Sequence, residues 1–250
     1  MKKLLSTVAC AAAVGFFPTQ QASAHISWIN LTNLTPAIDG DKHIYSANSI
    51  VSGNYGWADS MDEDWGDSHQ GAWAQFTLTE SSNVKIHVES DYQDTFITIG
   101  SNTFPLRVGD LTPGFSLYNG VLPDEAYEDA FPPPAGKEGA WNGQGTTTMG
   151  NDEGEVGTIH YIGHAGEIDG LATAVSWMGA LEAGIYAVAI GGTCYERENC
   201  GAFDRFNADN AMRGFDISLT VAPVPLPAAI WLMGAGLVGL GAFRKRTLAV

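Results

Sequence analysis

The chain has 250 residues and a formal net charge of −16, and hydrophobic residues make up 45% of it. All 28 acidic residues lie between positions 25 and 223, so the body of the protein is strongly acidic. Such a surface repels nucleic acid and anionic lipid and attracts cations, which excludes a nucleic-acid-binding role.

The first 24 residues have the form of a signal peptide. Lys2 and Lys3 precede an apolar run from Leu4 to Phe17, and Ala22-Ser23-Ala24 is a small-residue cleavage site. We therefore expect signal peptidase to cut after Ala24, so that the mature chain begins at His25. A free amine and an imidazole at His25 could form half of a copper chelate.

An acidic loop follows in the body, from Gly56 to Gln70. Within it Asp59, Asp62, Asp64 and Asp67 supply carboxylates, and Trp57, Trp65 and His69 lie among them. Calcium takes six to eight oxygen ligands and accepts flexible acidic loops, although this spacing is not that of an EF-hand. The loop is therefore a calcium candidate, and a solvated acidic loop is the alternative interpretation.

Alternation of apolar and polar residues with a period of two recurs through the body and predicts strands. Clear runs are Phe76–Leu78, Val84–Val88, Phe115–Leu117 and Phe215–Val221, and the continuous apolar run Ile185–Ile190 predicts a strand buried on both faces. Only Ile168–Met178 could hold a short helix. Residues 25–222 should therefore form an all-β, antiparallel β-sandwich with long loops.

Several of these segments resemble the bacterial pre-peptidase C-terminal-like domain, a jelly roll. The resemblance covers about residues 72–221 and is carried by the four runs Phe76–Val84, Pro113–Tyr118, Leu181–Tyr186 and Gly214–Leu219. The chain departs from that family in a long insertion between Leu122 and Gly157. Such domains are mostly non-catalytic modules of secreted proteins, so the resemblance implies a binding or structural role.

Histidines suggest a second metal hypothesis, copper. His69, near Trp65 and Trp73, and the pair His160 and His164 are the candidates besides His25. The aromatic and acidic loop with these histidines resembles copper(I)-binding surface proteins of methanotrophs, which implies a copper site. His160 and His164 cannot share one ion in a straight strand, because four residues span about 13 Å; a bend at Gly163 would be needed.

Two cysteines remain after signal cleavage, Cys194 and Cys200. In an oxidising compartment we expect them to form a disulfide that closes a short loop. Motifs for a catalytic nucleophile, a zinc protease or a phosphate loop are absent from the sequence, so we expect no enzyme.

The C-terminal segment, residues 223–250, has three parts in order. Val224-Pro225-Leu226-Pro227-Ala228 leads into an uncharged apolar stretch from Leu226 to Phe243, and the basic cluster at 244–246 follows. The stretch is long enough for a transmembrane helix whose basic end stays in the cytoplasm. A plain membrane anchor is the alternative interpretation.

This tail resembles the PEP-CTERM sorting signal of Gram-negative bacteria. The resemblance implies recognition by an exosortase and release at the cell surface or into an exopolysaccharide matrix. Together these features predict an exported structural or adhesive protein. Calcium would stabilise it if the acidic loop is a calcium site. The alternatives are a copper-binding surface protein and a carbohydrate-binding module that stacks sugars on Trp57, Trp65 or Trp141.

Overall fold

The computed structural model describes residues 26–57, 65–68, 70–91, 94–99, 102–107, 111–126, 128–129, 140–168, 170–194 and 212–224. Side chains of the strands at 94–99, 102–107 and 128–129, and those of Trp65 and Ala140, are outside this description. One short 3-10 helix, Leu31–Asn33, lies among the strands. The strands are β1 Trp28–Asn30, β2 Ala37–Asp39, β3 Lys42–Ser52, β4 Trp65–Asp67, β5 Ala72–Leu78, β6 Ser82–Ser90, β7 Asp94–Ile99, β8 Asn102–Arg107, β9 Pro113–Asn119, β10 Glu128–Asp129, β11 Ala140–Asn142, β12 Thr147–Gly150, β13 Val156–Ala165, β14 Ala174–Leu181, β15 Gly184–Gly192 and β16 Met212–Pro223.

Two large sheets form the fold. Sheet A has the order β1-β5-β15-β9-β13-β12-β10, and sheet B has the order β14-β6-β16-β3-β2, with the β7–β8 hairpin attached beside β16. A small β4–β11 ribbon completes the strands. Pairing is antiparallel except between β1 and β5 and at one β8–β16 contact. The predicted β-sandwich is therefore confirmed, with these parallel pairs as the exception to its antiparallel character.

The main core fills the space between the two sheets. Alternate residues of β6 and β16 point into it, as the period-two pattern requires. Fully buried members from sheet B include Ile86, Val88, Phe215 and Leu219, and sheet A contributes residues such as Phe115. Phe76 of β5 stacks on Tyr186 of β15 with ring centroids 5.2 Å apart.

A second core covers the outer face of sheet A. Loops before β5 and around β11 fold over this face and bury aromatic residues against it. Its buried members are Ile26, Trp57, Trp73, Tyr118, Leu122, Ala126, Trp141, Met149, Ile159, Ala187 and Ala189. Because both faces of β15 are covered, Tyr186–Gly192 is buried throughout. This confirms the prediction made for the apolar run Ile185–Ile190 except at Ile185, which is 45% exposed.

The helix expected at Ile168–Met178 is wrong. Residues from Ala174 onward form β14, which pairs along its whole length with β6. Trp177 faces inward there, and its indole lies over Gly163 of β13 and Gly179 of β14, where any Cβ would lie within 3 Å of the ring. Two glycines therefore give a large aromatic residue its place at the edge of the sandwich.

Both targeting segments lie outside the described residues. These are the predicted signal peptide at 1–24, with its cleavage site at Ala24 and His25, and the apolar tail from Pro225 onward. Within the part of the chain that is described, no helix is long and apolar enough to cross a membrane. The domain bounds at 24 and 223 stay predictions, although β16 ends at Pro223, immediately before Val224.

Candidate functional site

Only Asp67 of the acidic-loop candidates lies within the described residues. It sits in β4, its N–H donates to the carbonyl of Gly56 at 2.9 Å, and its own carbonyl accepts from Gln70 and Gly71. Asp59, Asp62 and Asp64 lie outside the described residues. The turn that carries Asp67 is therefore fixed against Gly56, while the calcium site stays a prediction.

The copper candidates divide in the same way. His25 and His69 lie outside the described residues, whereas His160 and His164 belong to β13. A bulge between Tyr161 and Gly163 shifts the register of β13 against β9. Tyr161 and His164 consequently lie on the same face of sheet A, next to the aromatic core, although they are three residues apart.

His160 points the other way. It stands between Ile159 and Tyr161, which both pack into the outer core of sheet A. Because successive side chains of a strand alternate, the His160 side chain is directed to the opposite face of the sheet. His160 and His164 therefore lie on different faces and do not form a two-histidine metal site.

His164 is an exposed histidine held by two aromatic neighbours. Its Nδ1 is hydrogen-bonded to the hydroxyl of Tyr161. Its ring lies 5.4 Å from that of Trp57, centroid to centroid. Nε2 has no hydrogen-bond partner among the described residues, and the imidazole borders an open cleft of about 560 Å³ that also contacts Pro113, Glu167 and Thr193. This leaves one oriented imidazole nitrogen available to a ligand.

Trp57 anchors this arrangement from below. It is completely buried, and its Nε1 donates to Ser116 Oγ at 2.8 Å. The Ser116 hydroxyl in turn donates to the carbonyl of Gly143. A Cβ at Gly114 would lie 2.5 Å from Trp57 Cε3, so glycine there lets the indole approach the sheet. The aromatic wall of the candidate site is therefore rigid.

Further aromatic rings continue from Tyr161 across the outer face of sheet A. Tyr161, Tyr118, Trp141, Trp73 and Trp28 follow one another with centroids 5.2 to 6.2 Å apart. Burial raises the pKa of Tyr118 well above its ordinary value, and its hydroxyl donates to the carbonyl of Asn142 at 2.6 Å. The indole N–H groups of the three tryptophans are buried without a partner in the described part of the chain.

A carbohydrate platform on these tryptophans is wrong for two of the three candidates. Trp57 and Trp141 are both 0% exposed, so no sugar ring can stack on them without unfolding the outer core. The side chain of Trp65 is outside the description. Aromatic residues in the sequence are compatible with either a sugar-binding platform or a hydrophobic core. Trp57 and Trp141 belong to a core.

Sequence reasoning missed a second polar cluster, on the outer face of sheet B. His87 Nδ1 is 2.8 Å from Ser176 Oγ, and its Nε2 is 3.6 Å from a carboxylate oxygen of Glu89. Asp216 stands directly opposite Glu89 on the neighbouring strand. Desolvation, and then the like charges of Asp91 and Glu89, raise the pKa of Asp216. Only strand register reveals this cluster, since its residues come from three distant segments.

Among the described residues, no group of three or more histidine, cysteine, aspartate or glutamate side chains is arranged to hold a metal ion. A copper site at His164 would therefore need ligands from segments outside the description, such as His25 or His69. Cys194 is buried at the end of β15, and its N–H donates to Asn54 O at 2.9 Å. Cys200 lies outside the described residues, so the disulfide stays a prediction.

Residues 223–246 match the family model described as the PEP-CTERM protein-sorting motif. This confirms the resemblance drawn from the Val224–Ala228 motif, the apolar stretch and the basic end. The chain thus carries a sorting signal recognised by an exosortase. It is an exported, cell-surface protein of a Gram-negative bacterium. No curated protein matches the chain in sequence.

Among solved structures, the chain is similar to CorA of Methylomicrobium album BG8, described as a surface-associated copper-binding protein important in copper acquisition. The identity is 13%, the match covers 79% of this chain and 98% of that one, and the TM-score is 0.49. It is also similar to the Methylococcus capsulatus secreted protein MopE, in which an oxidized tryptophan facilitates copper binding. Identity there is 14%, coverage is 84% and 97%, and the TM-score is 0.38.

The pre-peptidase C-terminal domain of a Bacillus anthracis collagenase is a third similar structure. Its identity is 8%, the match covers 78% of this chain and 93% of that one, and the TM-score is 0.31. The pre-peptidase C-terminal domain and the copper-binding surface proteins, both of which the sequence resembles, therefore occur among the similar structures. At these TM-scores and identities, the likenesses carry no argument about a ligand of this chain.

Proposed function

We propose that the body is a non-catalytic module displayed at the cell surface, where it serves as a structural or adhesive component. The observation that supports this role is that the sorting tail follows the body directly. The sorting motif begins at Pro223, the last residue of β16, which pairs with both β3 and β6 in the middle of sheet B. Whatever holds the processed C-terminus is thereby connected to a central strand without an intervening linker.

This connection suits a component that bears load. A force on the tail acts on β16, which is hydrogen-bonded on both sides, with ten residue pairs to β3 and nine to β6. The strand also contributes Phe215, Ile217 and Leu219 to the inter-sheet core. Many ladder bonds and core contacts would have to be lost together before β16 could leave the sheet. The body, with 28 acidic and seven basic residues, has a formal charge of −21, which keeps such a module soluble outside the cell.

The test is removal of the tail. A chain lacking Val224–Val250 should be exported by its signal peptide and then recovered from the medium, while the full chain stays with the cells. A second variant replaces only Pro225 and Pro227 by alanine, which alters the sorting motif but keeps an uncharged apolar stretch, and it should not be processed by the exosortase. Normal surface attachment of the deleted chain would contradict the proposal.

Copper binding is the second candidate function, and the geometry of His164 favours it. For Nε2 to bind a metal, Nδ1 must carry the hydrogen and donate it to the Tyr161 oxygen, an arrangement that commonly orients metal-bound histidines. The imidazole is exposed, while its neighbour Trp57 is fully buried. Additional ligands from His25 or His69 would be needed, and imidazole nitrogens are ligands that suit copper.

Variants of single residues test this candidate. His164→Ala and His69→Ala should abolish tight copper(I) binding, measured by competition with a coloured copper(I) chelator. Tyr161→Phe should weaken it by about 10- to 100-fold, the usual effect of removing a partner that orients a ligand. His160→Ala, on the opposite face, is the matched control and should bind normally. Unchanged affinity in His164→Ala would remove this residue from the site.

Calcium stabilisation is a separate proposal, and it rests on the acidic loop alone. Asp67 is its one described member, in a turn tied to Gly56. If Asp59, Asp62, Asp64 and Asp67 bind calcium in the folded state only, added calcium should raise the unfolding midpoint of the chelated protein. An unchanged midpoint would contradict it.

A further inference from the structure

The strands that end the two sheets differ in length and charge. Sheet A ends in β1 and β10, of three and two residues, and one end of sheet B is the three-residue β2. β10 consists of Glu128 and Asp129. β2 begins immediately after Pro36 and ends with Asp39. Short edges that carry charge or follow proline resist pairing with other chains. β10 and β2 are therefore protected by length together with charge or proline, and β1 by its length of three residues. Residues 45–52 of β3 extend beyond β2 and pair only with β16 among the described strands, but the exposed side chains there, Ser46 and Asn48, are polar.

Within the described residues, β14 at the other end of sheet B has none of these protections. It has eight residues, and the whole segment 171–181 contains neither a charged residue nor proline. In an antiparallel ladder, alternate residues of β14 direct their N–H and C=O groups away from β6. No strand within the described residues pairs with this outer side. A long, uncharged and open edge is unusual in a chain of such high net charge.

Exposed apolar side chains concentrate at the same place. Leu171 is 81% exposed and Met178 is 73% exposed, the two highest values among the large hydrophobic residues described. Met178 stands on the outer face of β14, and Leu171 lies just before the strand. Covering both would stabilise a complex by the hydrophobic effect, in addition to the ladder bonds.

We infer that β14 pairs with β14 of a second copy of this chain, in antiparallel orientation about a twofold axis. The processed body has 28 acidic and seven basic residues, a formal charge of −21, so two copies repel each other over most of their surfaces. The uncharged β14 edge is where this repulsion is weakest, and a twofold axis brings the same edge of both copies together. Such pairing would join the B sheets of the two copies through backbone hydrogen bonds between the β14 strands. Addition of a strand to an exposed sheet edge is a common mode of protein association.

Room for the second copy exists beside the first half of β14. Trp177 of β14 lies over Gly163 of β13, and sheet A ends at β13 at this level. β12, which widens sheet A, pairs only with residues 156–159 of β13. The approach to the edge is therefore not blocked by the neighbouring sheet at the level of Trp177.

The second copy would be the partner in the structural role proposed above, and the pairing rests on that role. The test uses the processed protein recovered from the surface of an exosortase-bearing host, with mass measured by light scattering during gel filtration. The wild-type protein should be a dimer. Met178→Lys and Leu171→Lys should each give a monomer with an unchanged far-UV spectrum. Ile38→Lys, at a residue 62% exposed on the protected β2 edge, is the matched control and should remain dimeric.

A monomeric wild-type protein would overturn the inference, as would a dimer that persists in both β14 variants. Surface display, scored on the same cells by antibody labelling, separates this result from the broader proposal. A displayed monomer contradicts the pairing and leaves the surface role in place. Loss of display from the wild-type chain would contradict the role on which the pairing rests.

Discussion

Trp57 and His164 lie ring against ring with centroids 5.4 Å apart, although the indole is fully buried and the imidazole is exposed. The first belongs to the loop before β4 and the second to the end of β13. Their contact joins the outer core of sheet A to the open cleft. The position of the histidine therefore depends on the packing of the tryptophan beneath it.

Removing Trp57 should destabilise the whole body. Trp57→Ala leaves a cavity in the outer core, and such truncations cost about 3–5 kcal/mol. Trp57→Phe keeps part of the ring but loses the N–H donated to Ser116, so we expect a smaller loss, of about 1–3 kcal/mol. Urea denaturation followed by fluorescence and circular dichroism measures both. Equal stabilities for the two variants would show that the outer core does not pack around this ring.

Gly114 should resist substitution because it faces the same indole. Gly114→Ala brings a Cβ to 2.5 Å from Trp57 Cε3, and overpacking of this kind costs about 1–3 kcal/mol. Gly184→Ala, at the start of β15, is the matched control, since its nearest neighbour would be 3.4 Å away. The expected result is a lower urea midpoint for Gly114→Ala alone. Similar midpoints for both variants would contradict the close approach of Trp57.

Asp216 should make stability depend on pH in the acidic range. Desolvation and the charges of Asp91 and Glu89 raise its pKa in the folded state, so the folded protein binds this proton more tightly than the unfolded chain. Stability then falls as pH rises from the unfolded to the folded pKa, and the penalty persists above that range. Asp216→Asn should remove this decline and slightly raise the urea midpoint at neutral pH.

The matched control for that experiment is Glu153→Gln, at an exposed turn between β12 and β13. It should leave the pH profile unchanged. Because Asp216 is itself exposed, the difference between the profiles is expected to be small. A larger fall in stability with rising pH in Asp216→Asn than in the wild-type protein would contradict the assigned direction of the pKa.

Cys194 and Cys200 should resist alkylation unless the protein is first reduced. A loop this short gives a disulfide worth about 2 kcal/mol in the chain-entropy model. Mass spectrometry of the denatured, unreduced protein after iodoacetamide treatment should show no added mass, and Cys200→Ser should show one modified thiol. Two modified thiols in the unreduced wild-type protein would contradict the pairing.

Alternation predicted the strands that have one buried face. Phe76, Ile86, Phe115 and Ile217 all point inward, as their period-two patterns require. β14 escaped this reasoning because its outward residues Ala174 and Met178 are apolar too, so its two faces look alike in the sequence. The edge position of the strand, rather than its composition, leaves such residues exposed.

The candidate site was only partly predictable. His164 and the tryptophans could be singled out, but the choice between His160 and His164 depends on the bulge after Tyr161, which reverses the facing of the strand. Likewise, the pairing of Trp57 with His164 is a long-range contact that no local pattern encodes. The tail could be read in full, because its motif, apolar stretch and basic end are consecutive in the sequence.

The intact mass of the surface-released protein tests the central claim most directly. Processing at both ends predicts a chain that begins at His25 and lacks the apolar stretch Leu226–Phe243, with any attached group at the new C-terminus. A mass that includes residues 226–250 would mean that the tail remains as a membrane anchor. That result would contradict exosortase processing of the tail.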